Sequence, residues 1–222
     1  MKLVISAMAE ELGETLASLE PQLIHNNNGL KVYQKDDWLF AITKIGQVNA
    51  TIALTTIIKT FEISKIFNLG TAGSLIPTVK IQDVVIIEKA YYTFADATVF
   101  GYQLGQIPQE PFGYQSDQTL MTCLQKIVPD VKVGLLGTSD VFINSPNHLA
   151  HLQAMPIEIT VSDMEGTAFF QTAYSFNIPI VAVKIISDQV FTPTNSKVEF
   201  KNNLLLASKK IKNIIDNLML SC

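Results

Sequence analysis

The chain has 222 residues, 48% of them hydrophobic and 16% charged, enough to bury a sizeable core and too apolar for a disordered chain. Sixteen Lys and Arg against twenty Asp and Glu give a net charge of -4, which argues against a nucleic-acid partner, since that affinity comes largely from basic residues. The two cysteines, Cys123 and Cys222, stand far apart with no metal-ligand spacing and no disulfide framework, and no apolar run suits a signal core or a membrane span. A cytoplasmic location is therefore expected, with no membrane partner.

In chain order, Leu3 to Ser6 reads as a strand buried on both faces, and Ala9 to Leu19 suits a helix. Leu30 to Gln34 and Trp38 to Thr43 flank the polar turn Lys35-Asp36-Asp37, the signature of a hairpin. Gln47 to Phe61 is helix-like. Ile66 to Leu69 is a short strand, with the glycine-containing Gly70-Thr71-Ala72-Gly73 read as a turn after it. A long β segment covers Asp83 to Tyr92. Ala95 to Ser116, rich in glycine, proline and aromatics, reads as an ordered loop, and ordered loops of that length tend to be functional. A helix around Gln118 to Ile127, a strand at Lys132 to Leu136, a helix from Met164 to Tyr174 and an apolar strand from Ile178 to Ser187 follow. Apolar residues at Phe200, Leu204, Ala207, Ile211, Ile214 and Leu218 mark one face of a final amphipathic helix. Alternating strands and helices predict a single α/β domain over residues 1–222, a three-layer α/β/α arrangement with a central mixed sheet.

Ligands in such sheets bind beyond the carboxyl ends of the strands. That rule gathers Glu10 and Glu11 after the first strand, Gly70 to Gly73 after the Ile66 to Leu69 strand, and Ser187 and Asp188 after the strand ending near Ile186, with Asp163 and Glu165 at a helix start. Acids in first turns of helices also serve as caps, which is the commoner use of an arbitrary one. The glycines lack the dinucleotide fingerprint and the phosphate-loop lysine. Only His25, His148 and His151 are available as histidines, and none partners Ser187 as a triad would require. Neither a metal nor a cofactor is expected. Spacing alone yields an acid-rich pocket without a reaction.

The local strings say more. Ala7-Met8-Ala9-Glu10-Glu11, Asn68-Leu69-Gly70-Thr71-Ala72-Gly73 and Ala95-Asp96-Ala97-Thr98-Val99-Phe100-Gly101-Tyr102 occur in order. Gly105-Gln106-Ile107-Pro108, Asp140-Val141-Phe142-Ile143-Asn144, Asp163-Met164-Glu165-Gly166-Thr167-Ala168 and Ile186-Ser187-Asp188 follow. Together they resemble the 5'-methylthioadenosine/S-adenosylhomocysteine nucleosidase family, within the nucleoside phosphorylase superfamily. The resemblance implies a nucleoside phosphorylase-like fold and hydrolysis of the N-glycosidic bond, releasing adenine in methionine salvage and nucleoside catabolism. It implies Asp188 as the acid that protonates adenine N7, Glu11 as the base for the attacking water, and Glu165 as the acceptor of the ribose hydroxyls.

By the same resemblance Phe142 packs on adenine, the Ile143 backbone reads its edge, Ser187 sits beside Asp188, and Thr71 lies near sugar and water. Met8, Gly73 and Lys184 also count as substrate-binding. Ile45, Phe100, Tyr102, Pro108, Met164 and Phe200 correspond to the apolar pocket for the 5'-alkylthio group, although core packing is the ordinary use of such residues. The loop carrying Phe100 to Pro108 implies a homodimer, in which it reaches over the neighbouring subunit's site. Lys184 stands where the family usually has Arg, near the water and Glu11, and keeps the charge without the planar fork. Asp163 replaces the usual Glu, Gly166 replaces a common Ala, and the stretch between Asp188 and Phe200, including Pro193, departs most. The alternatives are a hydrolase of 6-amino-6-deoxyfutalosine or another adenine nucleoside, a phosphorylase, and a nucleoside-binding homologue without turnover. A carboxylate at Glu11 would repel phosphate and so favours water.

Overall fold

The computed structural model describes residues 1–190 and 196–221. It opens with β1 (Lys2–Ser6) and α1 (Ala9–Leu19), followed by β2 (Gln22–Asn27), β3 (Leu30–Lys35) and β4 (Trp38–Ile42). After α2 (Gln47–Thr60) come β5 (Lys65–Ser74), β6 (Val84–Tyr92), a 3-10 turn at Thr98–Phe100 and the two-residue β7 (Tyr114–Gln115). The second half holds α3 (Gln118–Ile127), β8 (Lys132–Thr138), α4 (Pro146–Gln153), β9 (Val161–Asp163), α5 (Gly166–Ser175), β10 (Ile180–Gln189) and α6 (Ser196–Ser221).

All ten strands among the described residues belong to one mixed sheet. Strand β1 runs parallel to β4 and β5, and β5 runs parallel to β10. Strand β10 also pairs antiparallel with β6, β6 continues in parallel to β8 and β9, and β9 returns antiparallel to β5. These five strands therefore close on one another, while β1, β4, β3 and β2 form an open wing. Side chains alternate across each strand. Leu3 and Ile5 face a core shared with α2 and α5, whereas Val4 faces one shared with α1, α3 and α6. Two helical layers thus cover the two faces of the sheet, the expected three layers. The parallel strands β1, β5 and β10 point their carboxyl ends to the same edge.

Several elements differ from the sequence reading. The Gly70 to Gly73 string is not a turn, because β5 continues through it as far as Ser74. Strand β2 is an exposed edge of mostly polar residues and carries little hydrophobic signal. Helix α4 begins with Ser145, whose Oγ accepts from His148 N, and Pro146 in its first turn, a start signal the apolar pattern did not reveal. The helix expected from Met164 begins at Gly166, leaving Glu165 as its N-cap. Cys123 is not a free thiol, and its Sγ lies 4.0 Å from the Ser221 carbonyl oxygen. Packing of α3 against α6 brings these sequence-distant positions together. The expectations for Pro193 and for Cys222 fall outside the described residues.

Candidate active site

Beyond the carboxyl ends of β1, β5 and β10 lies a cavity of about 180 Å³, lined by Glu11, Glu165 and Asp188. Each acid arrives from a different element, and each is held in a way that local sequence alone does not specify.

Glu11 sits in the first turn of α1 with 3% of its surface exposed. One oxygen, Oε2, accepts from Met8 N at 3.1 Å, which is the capping role. The other, Oε1, accepts from Thr71 N at 2.8 Å and from Thr71 Oγ1 at 2.9 Å, across on β5. A Cβ at residue 70 would lie 3.0 Å from Oε1, so Gly70 makes the room that the carboxylate occupies. Burial pushes the Glu11 pKa up, opposed by the Thr71 hydrogen bonds, the Lys184 charge and the Met8 N–H. Glu10 faces solvent.

Glu165 occupies the N-cap of α5, yet its side chain makes no capping bond. Its Oε1 accepts instead from Gly46 N at 2.7 Å, at the start of α2. Burial first, and the Asp163 carboxylate second, push the Glu165 pKa up to about 8. The Gly46 N–H and Lys184 work in the opposite direction. Asp163 does the capping: its carboxylate accepts from Gly166 N at 3.0 and 3.2 Å and from Thr138 Oγ1 at 2.6 Å.

Asp188 is 2% exposed near the end of β10. The register against β5 slips there, from Ile186 opposite Ala72 to Asp188 opposite Gly73, so Ser187 is an extra residue in a bulge. Bulges re-aim side chains at strand ends. The Ser187 hydroxyl donates toward Asp188 Oδ1 at 2.8 Å, with the Ala72 carbonyl at 3.2 Å, and Asn203 of α6 donates to the Ser187 carbonyl at 3.0 Å. A Cβ on residue 73 would stand 3.2 Å from Asp188 Oδ2, so the second glycine of the string leaves space for the second acid.

Of the remaining residues singled out in the sequence, Met8, Ile45, Thr71, Gly73, Phe142, Ile143, Met164, Ser187 and Phe200 line the same cavity. Phe142 is 40% exposed at its mouth, whereas Ile143 is buried. Four others do not line it. Phe100, Tyr102 and Pro108 lie on the long loop away from the chain's own cavity, and Phe100 is 79% exposed. Lys184 stands behind the wall, with Nζ 2.8 Å from Asp163 Oδ2 and 2.8 Å from Asn68 Oδ1. Its ion-pair partner is Asp163, so the two departures Lys184 and Asp163 are contact partners, while its charge still acts on Glu11. Ser162, Asp163 and Val190 join the lining. The first two sit on β9, a three-residue strand too short to show periodicity. No cluster of His, Cys, Asp and Glu suited to a metal ion occurs among the described residues.

Residues 2–219 match the family model described as the Phosphorylase superfamily. A 5'-methylthioadenosine/S-adenosylhomocysteine nucleosidase of Staphylococcus carnosus is 36% identical over 193 residues, covering 83% of this chain and 85% of the relative. The solved nucleosidase of the same name from Neisseria meningitidis, in complex with methylthio-immucillin-A, superposes with a TM-score of 0.89 at 27% identity, covering 98% of this chain and 97% of the other. The native futalosine hydrolase of Helicobacter pylori also superposes with a TM-score of 0.89, covering 98% and 96%, but at 21% identity that likeness is one of fold alone. With a family model spanning nearly its whole length and more than a third of its aligned residues identical to the staphylococcal enzyme, this chain belongs to the 5'-methylthioadenosine/S-adenosylhomocysteine nucleosidase family of the phosphorylase superfamily.

Proposed function

We propose that this chain, acting as a single domain over residues 1–222, hydrolyses the N-glycosidic bond of 5'-methylthioadenosine and S-adenosylhomocysteine to release adenine. The observation that carries the reading is the convergence of Glu11, Glu165 and Asp188, each almost wholly buried, on one cavity. Glycosidic cleavage develops positive charge on the sugar and negative charge on the departing base. A site for it needs a proton donor at the base, negative charge near the sugar and a base for water.

Asp188 takes the first role. It lies beside Ser187 and lines the same cavity as Phe142 and Ile143, which supply apolar surface for a planar purine. Its proton passes to adenine N7 as the bond to C1' breaks. Glu165 accepts from the ribose hydroxyls. In the free site its raised pKa keeps much of it protonated at neutral pH, and donation from two hydroxyls favours the ionised form on binding. Glu11 takes the proton of the attacking water. Thr71 anchors one of its oxygens with two donors, fixing the direction in which the other is presented. Water's oxygen then bonds to C1', giving free thioribose and neutral adenine. With Glu11 in place, the cavity presents a carboxylate where phosphorolysis would require donors for an anion.

The apolar residues Ile45, Met164 and Phe200 form the part of the slot suited to a 5'-alkylthio tail. In a homodimer, the exposed loop with Val99 (85% exposed) and Phe100 completes that slot from the neighbouring subunit, and exposed Val48 and Ile52 on α2 supply apolar surface for the contact. A cytoplasmic role in methionine salvage accompanies this reading, and no helix among the described residues is long and apolar enough to cross a membrane. The test is adenine release from methylthioadenosine by Asp188→Asn and Glu11→Gln. Both should bind the nucleoside and lose turnover by about 100-fold or more. Near-normal turnover in either removes the role assigned to that acid.

A further inference from the structure

Behind the cavity wall, one cation is shared between an acid and an amide. The Lys184 and Asp163 side chains are each 3% exposed and lie 2.8 Å apart, and Lys184 Nζ also donates to Asn68 Oδ1 at 2.8 Å. Asn68 Nδ2 donates in turn to the Ile5 carbonyl at 3.1 Å, on the strand that leads into α1 and Glu11. Asp163 accepts from Gly166 N and Thr138 Oγ1, which ties down the first turn of α5 directly after Glu165. Thr138 Oγ1 accepts in its turn from Thr167 N at 2.9 Å, a second anchor on the same turn. Lys184 thus joins β10, β5, β9 and the start of α5 at one buried point, without reaching the cavity itself.

We propose that Lys184 is a positioning residue: through its ion pair with Asp163 it fixes the first turn of α5, and with it Glu165, while its charge offsets the carboxylates of Glu11 and Glu165. An ammonium group has three donors and no planar fork, so it can divide itself between an amide oxygen and a carboxylate that lie in different directions. Removing one member of such a pair leaves an unpaired buried charge, whereas removing both leaves none. The titratable groups that face one another here are Glu11 on α1, Asp163 on β9, Glu165 at the α5 N-cap, and Lys184 on β10, with Asp188 lining the same cavity. The Lys184 charge holds Glu11 and Glu165 down, whereas Asp163 pushes Glu165 up.

The kinetic part of this inference rests on the nucleosidase reading, and the titration part does not. Lys184→Met, Asp163→Asn and the double variant are compared with the parent chain. In substrate-free protein, carbon-13 NMR of the Glu165 carboxyl should show its midpoint rising by about 1 pH unit or more in Lys184→Met and falling in Asp163→Asn. In turnover of methylthioadenosine, Lys184→Met should lower kcat/KM about 100-fold and move the acid limb of the profile upward, and the double variant should lose less than the product of the two single losses. A Glu165 midpoint that is unmoved in both variants, or moves the same way in both, overturns the proposal. So does a multiplicative double variant with an unshifted acid limb, the pattern of merely structural damage. Should Lys184→Met not fold, the direction in Asp163→Asn decides by itself. If the parent chain releases no adenine, the nucleosidase reading falls while the titration still judges the pair.

Discussion

Gly46 stands at the N-cap of α2 with φ 103° and ψ 151°, and its N–H donates to Glu165 Oε1 at 2.7 Å. That backbone region is nearly closed to any residue with a Cβ, and forcing one into it costs about 1–3 kcal/mol. A Cβ there would also stand 3.3 Å from Asp140 Oδ1, the oxygen that accepts from Gln47 N. In Gly46→Ala the peptide relieves the strain by rotating, which carries the N–H away from Glu165. A hydrogen bond to a charged group contributes roughly 1.5–3 kcal/mol. At about 1.4 kcal/mol per factor of ten, kcat/KM for methylthioadenosine should fall about 10- to 100-fold. The strain itself should lower Tm by about 2–12 °C in a chain of this size. Adenine release at substrate concentrations below KM, paired with a thermal melt, reads both effects. A lowered Tm with unchanged kcat/KM would refute the claim that this N–H holds Glu165 for the reaction.

Further predictions concern the same shell. The Glu165 carboxyl keeps its proton to about pH 8 in the folded chain, against an ordinary value of 4.5, so the folded state binds more protons than the unfolded one between those values. Stability therefore falls as pH rises through that window. Glu165→Gln should melt like the parent near pH 4.5 and above it near pH 8, by an amount on the order of a few kcal/mol, and equal melting at both pH values would contradict the assigned pKa. Thr71→Val removes one of the three donors to Glu11 and should lower kcat/KM about 10-fold with KM nearly unchanged, whereas an equal rise in KM would assign Thr71 to substrate instead. Phe100→Ala should raise KM for methylthioadenosine several-fold, and mixing it with Asp188→Asn should restore a fraction of the activity through one intact composite site. No recovery on mixing would remove the shared pocket.

The long elements were legible because burial imposes a period. Buried β1 is a plain apolar run, and α6 shows its stripe at Ala207, Ile211, Ile214 and Leu218, all buried. What escaped has physical causes. Edge strand β2 buries little, β9 has only three residues, and the two glycines in β5 look like a turn although they clear space for carboxylates. Capping and catalysis could not be separated for Glu11 by spacing, and the structure shows why: one oxygen caps the helix while the other is held by Thr71. For Glu165 the capping explanation fails, because Asp163 supplies the cap. Lys184 and Asp163 were each visible as departures from the family pattern. Their contact across β10 and β9 depends on strand order, which no local string encodes.

The most direct measurement is incubation of the purified chain with methylthioadenosine, with and without phosphate, following adenine and the sugar product. Hydrolysis directed by Glu11 predicts adenine plus free methylthioribose at the same rate in both conditions. Methylthioribose 1-phosphate formed only with phosphate, or tight binding with no adenine released, would contradict it.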